Sequence, residues 1–441
     1  MVLTSIFVII SIAGIIILTS RFKIQAFVSL FIVSVFLAFV TLPPEKVVST
    51  MKEGFGNTMA SIGFLIILGA MIGITLEKTG GTLSIARYIL SKTGENRSAQ
   101  ALGITGFITG LPIFCDSGYI ILNGLAKSFS ARAKVAMPLM ATVLATSLYS
   151  IHCLIPPHPG ALAAAGIFDA NIGNLILLGT LFAIPATIAA YYWTIWITKG
   201  KNYAPAKAPE AVSHMAPENL PPVFISFMPI IVPLLLITFR SVISLFDKGG
   251  ESLLSKLFYL PGEPVFALAI GVVIALTMLK NNHLKAMNTI FVEAIEKAGP
   301  IIVVTAAGGM FGMVIKSTGV GEAAGNLLSG TNLGLFVPFL IGAAMKTAQG
   351  SSTVAIITTA SFVSPMLSIL GLDSEWGRLL GVLAMGSGTM IISHANDSYF
   401  WVLSNFAEID TNTTLKVYSP ATMIMGLVSF ACVWLTSIFV L

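Results

Sequence analysis

The chain has 441 residues, 56% of them hydrophobic and only 10% charged, with a mean hydropathy of +0.91. Soluble domains carry about 25% charge, so a soluble enzyme or nucleic-acid-binding domain is excluded, and the length suits about ten membrane crossings. The net charge of +5 then reads as cytoplasmic loops facing anionic lipid.

In chain order, apolar runs at Leu3–Thr19 and Ile24–Leu42 flank Arg21 and Lys23, and Pro43-Pro44 ends the second. The first 20 residues lack a basic stretch, which argues for a retained span over a cleaved leader. Glu45–Gly54 reads as an amphipathic link, Met59–Leu76 as a span, and 82–98 as a surface helix. Two runs follow, Ala99–Leu111 and Ser117–Phe129, each 13 residues long. At ~1.5 Å per residue they reach roughly 20 Å, short of the ~30 Å hydrocarbon core. With Pro112, Asp116 and Gly118 between them, they predict a re-entrant hairpin (99–129) whose tip stops at mid-membrane. The basic stretch Lys127–Lys134 reads as a turn, and Val135–Ile151 is the next span. It stops at His152-Cys153-Leu154-Ile155-Pro156-Pro157-His158-Pro159-Gly160, where the prolines cannot continue a helix. A span at Ile172–Ile197 closes a first unit, residues 1–198.

Residues 199–221 are polar and proline-rich and read as a flexible cytoplasmic linker. The second unit, 222–441, repeats the order. Spans at Val223–Phe239, Val265–Leu279 and Ile301–Ile315 lead to a second hairpin (333–368) whose arms, Leu333–Met345 and Ser351–Ser368, flank Lys346–Gly350. A span at Leu379–Ile392 breaks near 393–399, and Tyr418–Val440 is the last. The segment Gly69–Gly80 mirrors Gly308–Gly319, with Gly, Met, Gly, Thr and Gly at the same places in both. Each copy has five crossings, an odd number, so the second must lie upside down relative to the first. Inverted repeats with discontinuous helices are the architecture of secondary transporters. The fold expected is thus an all-α polytopic membrane protein of two inverted repeats, each of five spans with a re-entrant hairpin. Placing the N-terminus outside puts most lysines and arginines in cytoplasmic loops.

Four breaks are expected to meet between the copies. They carry Asp116, Ser117 and Gly118; His152 and His158; Lys346, Thr347, Gln349, Gly350, Ser351, Ser352 and Thr353; and His394, Asn396 and Asp397. Each hairpin's second arm starts here and offers free N–H groups to a carboxylate, while hydroxyls and amides suit substrate hydroxyls. That inventory fits a small hydroxylated anion. Asp116 has a second reading as a helix cap, and Lys346 as counter-charge to Asp116 or Asp397. Asp116, His152 and His394 are candidate proton carriers, and His158 reads as a loop-shaping residue. The glycines at 69–73 and 308–312 read as close helix packing. There is no GxxxxGK[ST] and no HExxH, so no ATP-driven pump or zinc site is expected, and no cofactor beyond a coupling H⁺, or Na⁺. Cys115, Cys153 and Cys432 form no framework.

Phe-Cys-Asp-Ser-Gly-Tyr (114–119), His-Cys-Leu-Ile-Pro-Pro-His-Pro-Gly (152–160), Ala-Gln-Gly-Ser-Ser-Thr-Val-Ala (348–355) and His-Ala-Asn-Asp-Ser-Tyr-Phe-Trp (394–401) resemble the gluconate permease (GntP) family of the ion-transporter superfamily, nearly end to end. The resemblance implies a proton-coupled symporter in the bacterial cytoplasmic (inner) membrane that imports gluconate or a related sugar acid. By superfamily analogy it implies a homodimer working as an elevator, with the first two spans of each copy as scaffold. The chain departs from the gluconate-type pattern at Cys115, Ser117 and Ala161, so a shorter acid such as glycerate, with Na⁺ coupling, is the alternative. An anion channel is the other, and an intramembrane enzyme lacks its motifs.

Overall fold

Proline and glycine set most of the helix ends. In the computed structural model the residues described are 2–22, 24–93, 97–201, 203–206, 220–247, 252–279, 283–319, 334–394 and 397–441, and every regular element among them is helical. Helix α1 (Val2–Ile16) runs on as a π turn to Arg21 and is followed by α2 (Ala26–Thr41). Pro44 then opens α3 (Pro44–Thr79) at its first turn, where the missing N–H costs nothing. Glu45 in its first turn and Lys78 in its last suit the helix dipole, and Gly80 at φ 77° ends it. Nothing between 45 and 76 breaks a helix, so the expected link and span are one 36-residue helix. Its counterpart α13 (His283–Ser317) runs 35 residues through Pro300 and ends likewise, with Gly319 at φ 70°.

The first hairpin is α5 (Ser98–Gly110) and α6 (Cys115–Ala133), after the short α4 (Gly81–Thr93). The expected basic turn is helical to Ala133, and Lys134 caps it at φ 52°. Helix α7 (Met137–Leu154) breaks at Ile155–His158 and resumes as α8 (Pro159–Phe168), and α9 (Ile172–Thr198) follows. The second half holds α10 (Val223–Phe246), α11 (Leu253–Tyr259), α12 (Pro264–Leu276) and α13. Then come the hairpin α14 (Phe336–Gln349) and α15 (Ser352–Val363), followed by α16 (Glu375–Met390), α17 (Ser398–Phe406) and α18 (Thr411–Val440).

Among the described residues six stretches are long and apolar enough to cross a membrane: α3, α7 with α8, α9, α10, most of α13, and α18. The pair α11 and α12, bent by 62°, makes a seventh. This is fewer than the ten expected, because α1, α2 and α16 are only 15 or 16 residues long. Exposed faces are apolar, as at Phe224 and Phe439, and Tyr192 and Trp196 project near the end of α9 like an interfacial aromatic belt.

Two hydrophobic cores divide the molecule. One gathers side chains of α7, α9, α16 and α18, with the hairpin arms packed against it. The other gathers α1–α3, α12 and α13, and its main axis is the contact of α3 with α13. Close approach on that axis is set by glycine: a Cβ at Gly309 would overlap the Thr58 hydroxyl, and one at Gly54 would lie 2.7 Å from the Gly309 carbonyl. The linker is tied down where it is described. Met137 N–H donates to the Ala204 carbonyl (3.1 Å), Ala206 N–H to Ser130 Oγ (2.8 Å), and Ser84 Oγ to the Pro221 carbonyl (2.8 Å). The described parts of the expected flexible linker, 203–206 and Pro221, are thus hydrogen-bonded to α4, α6 and α7.

Candidate functional site

A cavity of about 270 Å³ lies where all four breaks meet. Its walls are helix N-termini. Phe114, Cys115, Asp116 and Ser117 are the cap and first turn of α6, and Pro159 opens α8. Ser351, Ser352 and Thr353 begin α15, and Asp397, Ser398 and Tyr399 begin α17. Each terminus carries roughly half a positive charge and unpaired N–H groups. Four of them around one small volume make it attractive to an anion. The hairpin arms were readable as sources of two N-termini; the two from the broken spans were not.

Asp116 does not cap its helix. Phe114 holds the N-cap position, Asp116 sits one residue inside the first turn, and no side chain caps that end. Its Oδ1 is buried and has no hydrogen-bond partner among the described residues. An unpaired buried carboxylate oxygen costs more than the ~1–3 kcal/mol of a neutral acceptor, so a proton or a donor group placed there is stabilising.

His152 lies in the last turn of α7, 7% exposed, with Nε2 3.1 Å from Thr353 Oγ1 and Nδ1 without a partner among the described residues. It thus joins the first broken span to the second hairpin. His158 donates from Nε2 to the Gly110 carbonyl at 2.6 Å, which clamps the first hairpin's descending arm to the break and agrees with a loop-shaping role. The two rings meet edge to face at 5.0 Å.

Lys346, Thr347 and Gln349 belong to the last turns of α14 rather than to the break itself. Ala-Met-Lys-Thr-Ala-Gln is a sequence of mostly good helix formers, and only Gly350, at φ 84°, stops it. Lys346 is fully buried and donates to Asp397 Oδ2 at 2.6 Å and to the Gly350 carbonyl. Asp397 also takes Ser393 Oγ, and its Oδ1 accepts Tyr399 N–H at 3.0 Å as the cap of α17. Of the two partners weighed for Lys346, the ion pair is with Asp397. Lys346 itself does not line the cavity. The amide oxygen and nitrogen of Gln349 are both buried without a partner among the described residues. Ser351 Oγ accepts Val354 N–H at 3.4 Å and so caps α15.

Several candidates lie elsewhere. Thr347 is exposed, and its hydroxyl donates to Ala343 on its own helix at 2.8 Å. A Cβ at Gly118 would meet Leu148 at 2.9 Å, so that glycine serves the packing of α6 on α7. His394 is outside the cavity wall: α16 ends at Met390, and His394 follows in irregular backbone whose carbonyl accepts Asp397 N–H. It therefore does not mirror His152, which is still helical. Asn396 lies outside the described residues.

Sequence reasoning missed Tyr149, Tyr399, Lys297 and Ile301, all of which face the cavity. Tyr149 is three residues before His152 and so shares its helix face, a signal that was available. Tyr149 and Tyr399 stack at 5.6 Å and tie the halves together: Tyr149 OH donates to the Thr389 carbonyl and Tyr399 OH to the Ala145 carbonyl, each at 3.1 Å. Among the described residues no cluster of three or more His, Cys, Asp or Glu side chains could hold a metal.

The family model for GntP family permease matches residues 3–439. The chain belongs to the GntP permease family. The resemblance carried by the four breaks is thereby borne out, and membership places the chain among transporters rather than enzymes. GntP relatives include the inner membrane permease YgbN of Escherichia coli, 32% identical over 96% of this chain and 97% of its own length. Another is the gluconate permease of Pseudomonas aeruginosa, 29% identical over 97% of this chain and 96% of its own. Among solved structures, the YdaH transporter of Alcanivorax borkumensis superposes with a TM-score of 0.64 at 16% identity, covering 94% of this chain and 98% of that one. The GntP chain therefore shares its fold with a transporter of remote sequence.

Proposed function

We propose that the chain is a proton-coupled symporter of the bacterial inner membrane that imports gluconate or a related sugar acid. The observation that carries this reading is the cavity closed in by four helix N-termini, with one carboxylate oxygen of Asp116 left unpaired. Its volume lies near the lower end for ligand pockets, about 300 Å³, which suits a small acid. Hydroxyls of Ser117, Ser352, Thr353 and Ser398 line the same space for substrate hydroxyls. Sugar-acid transport is the activity named for the Pseudomonas relative, and the inner membrane is the location named for the Escherichia coli one.

Proton coupling follows from charge. Asp116 and Asp397 both line the cavity, and Lys346 balances Asp397. A substrate carboxylate arriving beside ionised Asp116 is repelled, whereas a proton on Asp116 removes that repulsion. Proton and anion then favour each other's binding by the same factor. We assign the proton to Asp116 first and His152 second, since His394 stands away from the wall.

The two halves as inverted repeats, the elevator and the N-terminus outside belong to the same proposal. Support comes from the matched lengths of α3 and α13, from α7 packing on α5 and α9 as α16 packs on α14 and α18, and from the two separate cores. The end of α6, the start of α7, the linker at 203–206 and the α17–α18 turn also meet at one end, as the proposed topology requires in either orientation. Cysteines introduced at Asp247 and Lys201 test the orientation, with only the first reacting with an impermeant thiol reagent in intact cells. Superfamily analogy makes the protein a homodimer, which cross-linking in the membrane would detect. Uptake of labelled gluconate into proteoliposomes decides the coupling: accumulation under an inside-alkaline pH gradient without Na⁺ is expected. Uptake that requires Na⁺ at constant pH, or that only equilibrates, overturns the reading in favour of Na⁺ coupling or a channel.

A further inference from the structure

The cavity wall contains two carboxylates and one lysine, and the lysine does not come from any of the four converging helices. It is Lys297, on α13, one turn before Ile301, which also faces the cavity. We propose that Lys297 is a specificity-determining residue that takes the substrate's carboxylate at the cavity mouth; this rests on the anion reading above.

Lys346, the other lysine close by, is already committed. It is fully buried, off the cavity wall, and bonded to Asp397 and Gly350. Lys297 is held differently. Its side chain is 35% exposed, with Nζ 3.1 Å from Glu293 and 3.8 Å from Glu77. Glu293 has a second, shorter partner in Lys78 at 2.5 Å. If Lys297 turns toward an anion in the cavity, Glu293 keeps Lys78. Glu77, its side chain 30% exposed, stays solvated. No carboxylate is stranded, so the exchange of partners is cheap in a way that moving Lys346 is not.

The source of the charge matters as much as its presence. Lys297 sits on the core of α1–α3, α12 and α13, whereas most of the wall belongs to hairpins and broken helices packed against the other core. A substrate contact with Lys297 therefore exists only while the cavity faces that stretch of α13. Binding the carboxylate there favours acids over neutral polyols in that state and releases the preference when the two bodies move apart.

The test uses the full chain in proteoliposomes and measures binding of labelled gluconate, competed by unlabelled gluconate or by its uncharged amide. Wild-type binding of gluconate establishes the anion reading by itself; its absence sinks that reading and this one together. Given wild-type binding, Lys297→Gln is expected to weaken gluconate about tenfold or more, the range for a lost charge-assisted hydrogen bond. Competition by the amide should stay unchanged, and Lys297→Arg should recover most of the affinity. Wild-type gluconate affinity in Lys297→Gln overturns the proposal, and so does equal loss for acid and amide, which marks a structural role.

Discussion

At the scale of single residues, the site separates a charge that is balanced from one that is not. Lys346 and Asp397 form a buried, hydrogen-bonded pair, and Asp116 lines the same region with one oxygen unpaired among the described residues. Removing one member of the pair leaves the other buried and uncompensated, at a cost of about 3–5 kcal/mol. Lys346→Met should therefore lower the melting temperature in detergent sharply, and Lys346→Met combined with Asp397→Asn should recover much of it. Additive losses in the double variant would show that the two act independently. Asp116→Asn should fold normally, abolish accumulation driven by a pH gradient and leave counterflow exchange measurable. The residue types at the breaks were legible in the sequence because polar groups between apolar runs stand out. Their division of labour was not, since only packing shows that Thr347 bonds its own helix, that Gly118 meets Leu148, and that Lys297 is among the residues lining the cavity.

At the scale of elements, α3 is the rail along which both breaks of the first half lie. A Cβ at Gly73 would come 2.5 Å from the Pro112 carbonyl at the hairpin tip, and one at Gly69 would come 3.1 Å from Pro157. Gly308 and Gly312 instead approach Ile357 and Ser361 on α15. Gly73→Val is thus expected to displace the first tip and reduce gluconate uptake at least tenfold at equal expression. Gly56→Ala, with open space around its Cβ, should transport like wild type. Equal activity in the two would separate the tip's position from transport. The first hairpin could be read from 13-residue runs too short to cross, and the broken spans from the proline-bearing or polar stretches that stop them. Helix ends could not: the apolar pattern stops at Ile315 and Met345, whereas the hydrogen-bond ladder continues until a glycine or proline interrupts it. The short helices α11 and α17 escaped because their lengths of 7 and 9 residues hold too few turns for a periodic signal.

At the scale of the whole molecule, two cores share a cavity at their boundary, and the proposal assigns one to a scaffold and the other to a moving body. The proposed contact between Lys297 and the substrate predicts that substrate protects the middle of α13, around Lys297 and Ile301. A cysteine at Ile301 should react with a thiol reagent more slowly when gluconate is present, while one at Val292, 48% exposed on the same helix, should not change. In the proposed mechanism one substrate anion enters with a proton carried at Asp116. The most direct measurement is external pH on adding gluconate to lightly buffered, de-energised proteoliposomes. Alkalinisation of the medium is expected with the wild-type protein and none with Asp116→Asn. Labelled gluconate entering the wild-type vesicles with no change in external pH would contradict it.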